Sequence, residues 1–153
     1  MTHTLLFLHL ISAFLLLGGA TTAGILQVSA LRRDRPSEIA LLLHVTRVAV
    51  ALLGVGALGT LGFGLALVHR ERIGYGTSWI VASIALWVAA MALGGIGGRT
   101  ARHARYLAER LAAEGDRPSD ELRSLVSHRP SLVLSYASTL AVVAIVVLMV
   151  WRP

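Results

Sequence analysis

The chain has 153 residues, 56% of them hydrophobic and 14% charged, whereas soluble domains carry about 25% charged residues. It has no cysteine, which excludes disulfides, iron–sulfur clusters and thiolate metal sites. Its formal charge of +6 comes from 14 arginines without a single lysine, a composition that fits loops lying against anionic lipid better than a nucleic-acid surface.

Four stretches are apolar enough to cross a bilayer, which takes about 20 residues each. They cover roughly residues 5–26, 48–68, 78–98 and 132–150. They consume most of the chain and leave no room for a separate soluble domain. The expected fold is therefore all-α: one polytopic membrane domain over residues 1–153, a four-transmembrane-helix bundle. The first stretch lacks a basic leader, and its apolar run exceeds the about 7–15 residues of a signal peptide. Despite a faint cleavage-like Val28-Ser29-Ala30, it is expected to stay as a span.

His9 is the one ionisable side chain in the first span. An imidazole at that depth is costly unless it points at protein, water or a cofactor. His9, Ser12, Leu16, Gly19, Ala23 and Gln27 recur at helical spacing and form a small, more polar face that should look inward. Leu6, Leu10, Phe14 and Leu17 form the opposite face.

The first loop holds Arg32, Arg33 and Arg35, and the third, residues 99–129, holds seven arginines. The second loop has only Arg70 and Arg72, and the C-terminus only Arg152. The positive-inside rule then places loops one and three in the cytoplasm and both termini outside, in a bacterial inner membrane. Anionic lipid is the expected partner of the basic loops. A nucleic-acid partner is not expected, because Glu109, Glu114, Asp116, Asp120 and Glu121 break the basic field.

Arg35-Pro36-Ser37-Glu38 is a helix start, with Ser37 as the expected cap. The second span carries Gly54, Gly56, Gly59, Gly62 and Gly64, and Gly56, Thr60 and Gly64 form a small-xxx-small row for close helix packing. Tyr75 and Trp79 read as interfacial anchors after a short second loop. The third span carries Ser83 and Trp87, then a row of Ala90, Gly94 and Gly98. It should run on past the membrane as a helix over 99–114, stopped by Gly115. Ser119-Asp120-Glu121 should start a short helix through Val126 that docks Leu122, Leu125 and Val126. Pro130 opens the last span, where Ser131, Ser135 and Ser138 share a face.

The six histidines sort by depth. His9 lies ~6 Å inside one boundary at 1.5 Å per residue, and His44 lies near the other, so the two cannot share a metal or haem. His9, His69, Ser83, Trp87 and Met149 all fall toward the same end, where they would frame a half-buried pocket beside Gly59 and Gly62. Haem iron takes His/His, His/Met or a single His, so this set offers a haem b pocket with His9 as axial ligand and His69 or Met149 as second ligand. The alternative is a histidine bonded to a neighbouring helix. No HExxH, paired carboxylates, phosphate loop or GxSxG is present, so no metal site or catalytic residue is assigned.

Leu8-His9-Leu10 in the first span and the terminal run from Leu148 through Met149, Val150 and Trp151 to Arg152-Pro153 resemble an uncharacterised bacterial family of predicted integral membrane proteins with a domain of unknown function. That resemblance implies four helices, an early histidine and a Met-Val-x-Lys-Pro-like tail, with Arg152 here where lysine is common. A looser likeness extends to the haem-binding membrane protoporphyrinogen oxidases, through His9 alone, and to copper-resistance D-type membrane proteins. The later-helix lysine of those oxidases has no counterpart here. The reading taken is a non-enzymatic membrane component: a scaffold, or a pathway for a small neutral or lipid-like molecule, able to pair with itself through its glycine rows. The alternative is a haem-b-binding, redox-linked membrane protein.

Overall fold

The computed structural model describes residues 2–151; Arg152 and Pro153, the end of the tail motif, lie outside them. Five helices follow in order: α1 Thr2–Leu31, α2 Pro36–Arg70, α3 Ser78–Ala113, α4 Asp120–Val126 and α5 Arg129–Trp151. There is no strand among the described residues. Four helices, the last running from Asp120 through α5, are long and apolar enough to cross a membrane. At 1.5 Å per residue, 35 residues of α2 and 36 of α3 reach ~53 Å, well beyond a hydrocarbon core of ~30 Å. Both must project from it, and they do so at the end that holds the loop arginines.

The bundle is built from two helix pairs. Small residues let α1 and α2 approach backbone to backbone: a Cβ on Gly19 would sit 2.7 Å from the Leu53 nitrogen, and one on Gly56 would sit 2.7 Å from the Ser12 carbonyl oxygen. In α5, the Ser131 hydroxyl donates to the Gly97 carbonyl (2.6 Å), and the Ser138 hydroxyl donates to the Ala90 carbonyl (2.8 Å). The α3 row that meets these serines is Ala90, Gly94 and Gly97. Gly98 faces open space, although the spacing of four predicts it. A helix of 3.6 residues per turn drifts off an i+4 row, so the contact line continues at i+7. The pairs join where α2 meets α3, around a core of Leu16, Ala57, Ala90 and Val142. By contrast, α1 and α5 barely touch.

A second core sits at the arginine-rich end. Ala30, Ile39, Leu43, Ala104, Ala108 and Leu122 bury one another, so α4 docks by Leu122 against the projecting parts of α1, α2 and α3. The α4 start is capped as expected, with the Ser119 hydroxyl accepting from the Leu122 N–H. The start of α2 is different. Ser37 does not cap it; Pro36 is the first helical residue and Arg35 the flanking one, with no side-chain bond. Instead the Asp116 carboxylate reaches across from the turn after α3, accepting from the Ser37 N–H and hydroxyl at 2.8 Å each. Asp116 follows Gly115 in a left-handed turn, with φ of 54° and 126° respectively. That turn aims the carboxylate at the positive end of α2. The bonds from the Ser37 N–H and hydroxyl hold the Asp116 carboxyl below the usual carboxylate range.

Candidate functional site: a cavity between the two helix pairs

At the end where α1 begins and α5 finishes, the helices splay around a cavity of about 520 Å³. Its floor is the central core, through Leu16 and Trp87. Its walls are mainly leucine, isoleucine, valine and aromatic rings from α1, α2, α3 and α5. Ligand sites of 300–1,000 Å³ are usually of this kind, apolar with a few placed polar groups.

The polar groups here are few. His9, Thr60, Ser83 and Glu71 line the cavity, with Thr2 at the start of α1. His9 is 9% exposed, while the other five histidines are exposed. Its ring abuts Gly64, where a Cβ would stand 3.1 Å from Cε1 and 3.4 Å from Nδ1. The absence of a side chain at Gly64 makes room for the imidazole. The Thr60 backbone approaches the ring, yet Nδ1 is buried with no partner in hydrogen-bonding geometry among the described residues. The Thr60 hydroxyl, 4% exposed at the residue level, is likewise buried and unpartnered. The Ser83 hydroxyl is satisfied by the Trp79 carbonyl at 2.8 Å. Trp87 is fixed by donating its Nε1–H to the Ala57 carbonyl at 3.2 Å.

Of the residues expected to frame the pocket, His9, Ser83, Trp87 and Met149 meet in this cavity. His69 does not; it is exposed on the last turn of α2. Depth alone suggested it, but Thr60, Gly64, Val68 and Glu71 form the lining row, and a rotation of about 100° per residue carries His69 off that face. Gly59 and Gly62 are not its walls either. Gly59 abuts the Ser12 side chain and Gly62 faces open space, whereas Gly64 and Thr60 take the wall position. Trp79, expected only as an interfacial anchor, lines the cavity as well. Glu71 was missed because it lies one residue past the helix end; its i+3 spacing from Val68 was the available signal. It is the only charged side chain lining the cavity among the described residues, and no arginine does so. Three or more His, Asp or Glu side chains placed to hold a metal occur nowhere among the described residues.

With four apolar helices and this early histidine in place, the family comparison is direct. The family model described as predicted integral membrane protein (DUF2269) matches residues 3–153. The chain belongs to this family. No curated protein and no solved structure matches it. The matched region includes His9 and every other residue lining the cavity except Thr2.

Proposed function

We propose that this protein is a non-enzymatic membrane component that binds a small, uncharged, lipid-like molecule in the His9 cavity and serves as its scaffold or pathway. The observation that carries this reading is the cavity itself: about 520 Å³, apolar walls, two unpartnered polar side chains, and an edge at the sparse α1–α5 seam. A solute dissolved in the bilayer reaches such a site without crossing water. The arginine distribution supports an orientation with the arginine-rich end in the cytoplasm, against anionic headgroups of a bacterial plasma membrane, and the cavity toward the outer face. A reporter fused after Pro153 that reads cytoplasmic would overturn that orientation.

The test of binding is native mass spectrometry of protein released from mild detergent. A retained neutral adduct is expected, and Ala13→Trp, which fills the cavity from α1, should lose it. A wild-type chain that carries no adduct and takes up no added neutral lipid refutes the reading.

Haem b is the second reading, supported by His9 and Met149 lining one cavity. It meets an electrostatic obstacle. Haem carries two carboxylates, and among the described residues the only charged one lining the cavity is Glu71. Buried charges need partners. An absorption spectrum of protein from haem-replete cells decides this: a Soret band that disappears in folded His9→Ala would establish haem and displace the lipid reading.

A further inference from the structure

We infer that the cavity takes a quinone-type carbonyl amphiphile, whose ring oxygen is held by Thr60 and His9 and whose apolar tail leaves through the α1–α5 seam. The inference rests on the cavity-binding reading and names its ligand class.

Thr60 is the first reason. Ser12, Ser29, Thr46, Ser83 and Thr139 each satisfy their hydroxyl on the carbonyl four residues earlier. Thr60 lies mid-helix with the same carbonyl available, yet its hydroxyl makes no such bond and is buried. His9, across the α1–α2 seam, has a buried nitrogen in the same condition. Both residues line one apolar cavity, and a buried polar atom without a partner is costly unless something bonds it.

The type of partner follows from what the pair can donate. A threonine hydroxyl always carries one donor hydrogen, and a neutral imidazole carries one as well. Together they call for an acceptor oxygen. A carboxylate or phosphate is disfavoured, because among the described residues no cation lines the cavity and Glu71 would repel it. A cationic head would find no acceptor charge at the depth of His9. An uncharged carbonyl fits both conditions.

Shape and exit narrow the class further. Trp87 lines the cavity and is pinned by its bond to the Ala57 carbonyl, so one fixed aromatic ring bounds the space. Aromatic rings favour offset or edge contact with a second ring. The tail needs a route that stays in hydrocarbon. Phe14 of α1 and Val150 of α5 both line the cavity and are 74% and 75% exposed, so their seam opens sideways to where lipid chains lie. Binding alone is inferred, with no electron transfer.

The chain reports on its own ligand. Of its three tryptophans, Trp79 and Trp87 line the cavity, and quinones quench indole fluorescence. The experiment titrates full-length protein in lipid nanodiscs with a decyl-substituted benzoquinone, in a Trp151→Phe background. Saturable quenching is expected, uncompeted by decylbenzene, which lacks the carbonyls. Thr60→Val, an isosteric change, should weaken binding roughly 2–12-fold, the range of one neutral hydrogen bond. Thr60→Ser should restore it, and His9→Gln should bind more tightly than His9→Phe. Unsaturable quenching overturns the proposal, as does a midpoint that Thr60→Val and His9→Phe leave unchanged. If the neutral adduct in native mass spectra persists while the quinone fails to bind, the ligand class is wrong and the cavity reading stands. If both fail, both fall.

Discussion

The α1–α2 seam holds His9 in the cavity, and Gly56 tests it. A Cβ at Gly56 would lie 2.7 Å from the Ser12 carbonyl oxygen and closer still to the Leu16 backbone nitrogen. Both are main-chain atoms, which cannot swing aside as a flexible side chain can. Relieving the first contact to an ordinary 3.4 Å takes a helix separation of about 0.7 Å. Overpacking of this kind costs about 1–3 kcal/mol, against a gain of about 0.8–1.0 kcal/mol in helix propensity for Gly→Ala. Gly56→Ala is therefore expected to lose up to roughly 2 kcal/mol, a fall in Tm of up to about 8 °C at 2–4 °C per kcal/mol. Gly54→Ala is the control: it makes the same propensity gain, and its Cβ meets nothing within 4 Å. It should leave Tm unchanged or raise it by a few degrees. The assay is thermal unfolding in one detergent, followed by circular dichroism and by loss of the monodisperse peak. Equal Tm values for Gly56→Ala and Gly54→Ala would refute close α1–α2 packing as the element that seats His9 over Gly64.

Three further outcomes follow from other contacts. Asp116 has its folded pKa held down by Ser37, so its bond to α2 is complete above the ordinary carboxylate pKa and is lost as pH falls through the lower folded value. The protection factor of the Ser37 amide, its exchange relative to the unprotected rate at the same pH, should fall in acid in the native chain, and be low at neutral pH in Asp116→Ala. Leu122→Ala removes a side chain that is 1% exposed at the arginine-rich core, costing about 2–5 kcal/mol; limited proteolysis should then cut near α4 while the four spans stay protected. Ser131→Ala and Ser138→Ala each remove one bond between α5 and α3. Each should lower stability by roughly 0.6 kcal/mol, the average for interhelical bonds in a membrane, read as a small Tm decrease that adds in the double variant.

Much of this was legible because it is local. Apolar run length marked the four spans, Gly115 marked the end of α3, and Ser119 marked the start of α4. Of the face expected to look inward, His9, Ser12, Leu16 and Gly19 are buried, and Ala23 and Gln27 are half-buried. The candidate cavity was half legible: depth along each helix brought His9, Ser83, Trp87 and Met149 to one level, but depth says nothing of rotation. His69 shares that level and is not part of the lining, while Glu71, two residues on, is. The choice of Gly97 over Gly98 is the same failure, since a contact row depends on how two helices cross.

The sequence by itself determined the class of this protein, its four spans, the charge asymmetry between its two ends and the inward face of α1. Those properties follow from hydrophobic length and helical period, which each segment carries alone. Tertiary structure decided what no single segment contains. It brought Asp116 to Ser37 across 79 positions, left the Thr60 hydroxyl without a partner, and opened a space between α1 and α5, which scarcely pack. A partner, an orphaned donor and a void are relations between helices, set by their relative rotation and crossing, and those are fixed only when all the contacts form together.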